Sequence, residues 1–176
     1  QLDKSVTAEL GCVTPTIVVP GPWSKADLKY QAENIATQKL HNGSFNCIAS
    51  QILVLPEMWD AADDLLADVK TTISTVTPRE PYYPGAHDRY ESIKQAYQNC
   101  EGLDDSDTCE LPRLLITDLD NNNVDEYLFN QEVFVGALGQ TSLPGSDPGK
   151  YLKNAVQFCN EKLWGTLGAN ILIHPK

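Results

Sequence analysis

Two short apolar runs constrain this chain more than any other feature. Thr16 to Val19 (TIVV) and Gln51 to Leu55 (QILVL) are nearly free of polar residues, and proline stops each of them, at Pro20-Gly21-Pro22 and at Pro56. A strand with one wet face alternates apolar and polar residues. An unbroken run is buried on both faces, and a parallel sheet sheathed by helices provides that burial. Between the runs, Ser24 reads as an N-cap with Asp27 three residues on. Leu28, Ala32, Ile35, Ala36 and Leu40 then follow at helical spacing, until His41-Asn42-Gly43 signals a C-cap and turn. After Pro56, the residues Met58, Trp59, Ala62, Leu65, Leu66, Val69 and Ile73 mark one face of a second helix, with Asp60, Asp63, Asp64 and Asp68 on its solvated side.

The rest of the chain repeats this alternation. A Pro-rich link (78–85) leads to a helix around Asp88 to Tyr97 and a polar loop from Asn99 to Glu110. Arg113 to Thr117 and Val133 to Leu138 read as strands, Ser146-Asp147-Pro148 opens another helix, and Ala169 to Ile173 supplies a last strand. The expectation is a single α/β domain over residues 1–176, an open, mostly parallel sheet with helices on both faces.

The length of 176 residues suits one domain, and 41% hydrophobic residues supply its core. The 13 Lys+Arg against 24 Asp+Glu leave a net charge of -11, with no surplus to neutralise phosphates, so nucleic acid and anionic lipid are discounted as partners. No stretch reaches the roughly 18 apolar residues of a membrane span, and no basic start with an apolar run marks a secretory signal. The opening Gln1-Leu2-Asp3-Lys4, without an initiator Met, reads as a piece cut from a longer chain. Cys12, Cys47, Cys100, Cys109 and Cys159 are odd in number and irregularly spaced. They read as free thiols of a cytoplasmic protein, with a Cys100–Cys109 pairing under oxidation as the alternative.

Three motif-like stretches fail on inspection. Asp118-Leu119-Asp120-Asn121-Asn122 begins like a calcium loop, but Asn123 stands where Gly is needed and Phe129 where a bidentate Glu is needed, so a turn is expected. Gly145-Ser146-Asp147-Pro148-Gly149-Lys150 is one residue short of a phosphate loop, and Tyr151 replaces its Ser/Thr; it reads as a helix start. Asn42-Gly43-Ser44 is a glycosylation sequon by form only, and no GxGxxG occurs. His41, His87 and His174 are too scattered for a ligand set, and no metal is implied.

Chemistry concentrates at two places. Cys47 joins an Asn/Gly/Ser-rich loop to a buried strand, a junction where a thiol stays open to solvent while backbone N–H groups lower its pKa and hold an oxyanion. Glu9 precedes the first buried strand, where partial burial raises a carboxyl toward the general-base range. Cys12, near Glu9, reads as a small packing residue.

Glu9-Leu10-Gly11, the helix of Ala26 to Leu40, Asn42 through Cys47 with its following strand, and Glu132-Val133-Phe134 occur in one order. With Phe158-Cys159-Asn160 and Leu163-Trp164-Gly165-Thr166-Leu167-Gly168-Ala169 after them, this order resembles the catalytic domain of the aldehyde dehydrogenase superfamily. The resemblance covers nearly the whole chain and is weakest from Tyr97 to Leu111. It implies NAD(P)-dependent oxidation of an aldehyde to a carboxylic acid through a cysteine thiohemiacetal and thioester. By it, Cys47 is the nucleophile and Glu9 the base that activates water. Glu132 takes the nicotinamide-side ribose hydroxyls, and Phe134 positions the nicotinamide. It also implies NAD or NADP as cofactor, a small-molecule aldehyde as substrate, a homo-oligomeric parent, and a dinucleotide-binding domain outside this chain. Cys12, Phe45-Asn46, Val135-Gly136 and the Pro20-Gly21-Pro22-Trp23 insertion depart from the family pattern. Two other readings stay open: an inactive relative serving as an interaction module, and a cofactor-independent thiol esterase.

Overall fold

The computed structural model describes residues 3–98, 100–104 and 109–176. Six strands form one sheet: β1 (Pro15–Val18), β2 (Ile52–Pro56), β3 (Glu101–Gly102), β4 (Leu114–Ile116), β5 (Ala137–Leu143) and β6 (Asn170–Leu172). Their order is β3-β4-β5-β2-β1-β6. Every pairing is parallel except β3–β4. The helices are α1 (Lys25–Leu40), α2 (Ala62–Thr75), α3 (Ala86–Ala96), α4 (Tyr127–Asn130) and α5 (Pro148–Lys162), with a 3₁₀ turn at His41–Ser44.

Alternation along the strands splits the core into two layers. Ile52 and Val54 of β2 face Tyr90, Ile93, Leu128, Phe129, Tyr151 and Phe158 from α3, α4 and α5. Leu53 and Leu55 face Leu28, Ala32, Ile35, Leu65, Val69 and Ile73 from α1 and α2. The sheet is therefore covered on both faces, as the unbroken apolar runs require. Among the described residues no helix is long and apolar enough to cross a membrane.

Local signals hold at the starts of α1 and α5. Ser24 and Asp27 form a reciprocal capping box on α1. Asp147 caps α5 through the Lys150 N–H with Pro148 in the first turn, so the Gly145–Lys150 stretch is a helix start. The 120–125 stretch folds as a turn in which Asp120 and Asn123 accept backbone N–H bonds two residues ahead. The five cysteines are free thiols.

Three expectations are corrected. The strand placed at Val133 to Leu138 runs instead over Ala137–Leu143, because Gln140 and Thr141, which look like loop residues, are buried and bonded. Gln140 accepts the Asp118 N–H at 3.0 Å, and Thr141 donates to the Leu119 carbonyl at 2.7 Å. Met58 is 82% exposed, since α2 begins only at Ala62. The polar 99–110 stretch contains the edge strand β3, while Asn99 and residues 105–108 lie outside the described residues.

Candidate active site

The segments preceding β1, β2 and β5 come together at the N-terminal ends of three adjacent strands. Open α/β sheets more commonly bind ligands at the carboxyl ends. Here Cys47 reaches this end because α1 stops at Leu40 and the chain turns back through three consecutive left-handed residues, Asn42 (φ 54°), Gly43 (φ 65°) and Ser44 (φ 71°). The turn is held from both sides. Asn42 donates to the Phe45 carbonyl and to Asn46, and Tyr82 donates to Asn42 at 3.1 Å. The buried Ser44 hydroxyl donates to the Lys39 carbonyl at 2.8 Å. Left-handed backbone at a residue other than glycine costs of order 1–3 kcal/mol and concentrates at functional sites.

Cys47 is exposed, as the sequence predicts for a reactive thiol, and its carbonyl accepts the Thr14 hydroxyl at 3.4 Å. Cys47, Cys12, Lys39, Ser44, Glu132 and Phe134 line one small pocket. Residues separated by 85 positions thus meet, and they include three of the four candidates the sequence selected.

Glu132 is half-buried. Its Oε1 accepts the Cys12 N–H at 3.4 Å. Burial raises its carboxyl above the ordinary range and the charge of Glu9 adds to the rise, against the Cys12 N–H and the charge of Arg89. Glu9 Oε1 and Glu132 Oε2 both approach Gly11. Glu9 itself is exposed, so the partial burial expected of it is not seen; its carboxylate accepts the Gly11 N–H at 2.9 Å. Gly11 (φ 119°) is a position only glycine fits. A Cβ there would lie 2.9 Å from the Trp164 ring and 3.0 Å from Glu132 Oε2. Trp164 ties the site together, accepting the Val13 N–H and donating to the Phe129 carbonyl, each at 2.9 Å.

Phe134 also has left-handed backbone (φ 46°). Its ring meets Tyr83 edge-on at 4.8 Å and Phe45 at 5.9 Å. Arg89 lies over both Tyr83 and Phe134.

Sequence reasoning missed Gln51 and Lys39. The Gln51 amide donates to the Leu128 and Gln131 carbonyls, each at 2.7 Å, and accepts the Val133 N–H at 3.0 Å, fixing the backbone on both sides of Glu132. A polar residue opening an apolar strand was the available signal. Lys39 is only 2% exposed, and burial draws its ammonium down to about 7. A larger cleft, lined by Leu40, Phe45, Pro78, Arg113 and Val135, shares Ser44 with the site but does not include Cys47.

No protein-family model matches this sequence, and no curated protein does. Solved structures match it over nearly its full length. An aldehyde dehydrogenase from Pseudomonas aeruginosa aligns over 96% of this chain with a TM-score of 0.72 at 17% identity, using 35% of its own chain. The fold is that of part of an aldehyde dehydrogenase. An NAD-dependent aldehyde dehydrogenase from Sinorhizobium meliloti gives a TM-score of 0.62 at 18% identity, over 96% of this chain and 39% of that one. The indole-3-acetaldehyde dehydrogenase of P. syringae, solved with NAD+ and IAA, gives 0.67 at 14% identity over the same shares. This aldehyde-dehydrogenase-like chain thus spans little more than a third of the length of the structures it matches, and at these identities the likeness is one of fold.

Proposed function

We propose that the protein carrying this chain is an NAD(P)-dependent aldehyde oxidoreductase whose nucleophile is Cys47. The observation that supports this most is the meeting of Cys47 with Glu132 and Phe134 in one pocket, within a fold shared with aldehyde dehydrogenases. An exposed thiol is free to attack a carbonyl carbon, forming a C–S bond and an oxyanion that N–H groups of the loop are suited to hold. Glu9, solvent-accessible, is the base that takes a proton from the water that opens the thioester left once the thiohemiacetal has given up its hydride and hydroxyl proton, releasing acid and thiol.

The donor set fits a nicotinamide nucleotide. Oε2 of Glu132 makes no hydrogen bond among the described residues, which leaves it free to accept from a sugar hydroxyl. Phe134 offers an aromatic ring beside it, held in place by Tyr83 and Phe45. When bound, the nicotinamide supplies the hydride acceptor. The similar solved structures include an enzyme described as NAD-dependent and one solved with NAD+, in agreement with this reading.

The test is aldehyde-dependent reduction of NAD and NADP by the whole protein, wild type beside Cys47→Ala, with short, long and aromatic aldehydes. Turnover abolished by the substitution is the expected result. An absence of turnover with every aldehyde would overturn the reading. A Cys47-dependent burst with an activated ester and no nucleotide would replace it with the esterase.

A further inference from the structure

We propose that Lys39 is the proton acceptor that converts Cys47 to its thiolate; this rests on Cys47 being the reactive thiol proposed above. Lys39 ends the buried face of α1 that begins with Leu28, and its side chain is enclosed although lysine is among the residues least often buried without a partner. It makes no side-chain hydrogen bond or ion pair among the described residues. A buried ammonium without a bonded partner is costly.

The turn that carries Cys47 closes on this lysine. Ser44 anchors to the Lys39 carbonyl, and three residues later the chain presents Cys47 to the pocket that Lys39 lines. The other ionisable groups on that pocket are Cys12, Cys47 and Glu132, with Glu9 acting on Glu132 through its charge. Two of these are thiols and two are carboxyl groups, so Lys39 is the one amine on the pocket among the described residues. His41 is exposed and its Nδ1 is engaged with Asn46 at 3.0 Å. Burial holds the lysine near the midpoint of its titration at neutral pH, so a lone pair is available on Nζ.

In the proposed step the Sγ–H bond breaks and its proton forms a new N–H bond on Nζ, leaving thiolate and ammonium on one pocket. The ammonium returns the proton when the thiolate is later expelled as leaving group. The two groups then titrate as a pair, and the apparent midpoint belongs to both.

The experiment is the pH dependence of Cys47 alkylation by iodoacetamide, followed by peptide mass spectrometry in wild type and Lys39→Met. The midpoint is expected to be higher in the variant than in wild type by about one unit. A folded Lys39→Met protein with an unchanged midpoint would overturn the proposal, since loss of packing alone does not move a titration. Should that variant not fold, the pair is read from its other member: Cys47→Ala, at an exposed position, should shift the pH midpoint of Lys39 acetylation by acetic anhydride. An unshifted midpoint there also refutes the pairing. Neither measurement uses an aldehyde or a nucleotide, so a missing dehydrogenase activity and a missing Lys39–Cys47 coupling are separate results.

Discussion

Gln51 shows how one side chain positions a site from beneath. Its amide satisfies three backbone groups around the Gln131-Glu132-Val133 segment, all in a buried setting. Gln51→Leu leaves those groups unpaired and is expected to lower stability by about 3 kcal/mol in urea unfolding. Glu132 behaves oppositely. Its folded carboxyl is raised by burial and by Glu9, so ionised Glu132 works against the fold once the pH exceeds that raised value. Below the ordinary carboxyl range it is protonated in both states and costs nothing. Glu132→Gln should therefore raise the Tm at pH 7, and the gain should vanish by about pH 4; calorimetry at the two pH values checks it. Cys47, Glu9, Glu132 and Phe134 were selected by residue type and order, and the fold brings three of them, Cys47, Glu132 and Phe134, to one pocket. Lys39 was not, because a lysine in the last turn of a helix reads as a solvated end. Only the returning loop buries it.

At the scale of elements, the helices were readable because capping and periodicity are local. Strand β5 was not. Its first half, 137–139, pairs with β4 and its second, 139–143, with β2, and Gln140 and Thr141 obtain partners at Asp118 and Leu119 that only the assembled sheet supplies. Gly139 lies at its centre, where a Cβ would come within 2.7 Å of Leu119, 3.0 Å of Ile52 and 3.1 Å of Leu128. Gly139→Ala is expected to cost about 1–3 kcal/mol by overpacking, read as a lower midpoint in chemical unfolding. Helix α4 escaped notice for a related reason: four residues are too few for a periodic signal, and Leu128 and Phe129 are buried by the packing of α5 and β2.

Over the whole molecule, the parallel architecture followed from two apolar runs, because only burial on both faces accommodates them. The net charge of -11 sits on the surface of that architecture and repels itself. Raising sodium chloride from low to moderate concentration shortens the reach of this repulsion. The Tm should rise by about 3 °C, the equivalent of roughly 1 kcal/mol for a chain of this size. A Tm that falls with salt would show instead that attractive pairs dominate.

The packing of Trp164 against Gly11 has an optical consequence. Trp23 and Trp59 belong to the layer beneath α1 and α2, whereas the Trp164 indole and the Glu132 carboxylate press on the same face of Gly11. The molecule thereby carries its own fluorophore at the candidate site. Its emission should follow the ionisation of Glu132, and that pH-dependent component should disappear in Trp164→Phe while the light from the other two indoles persists.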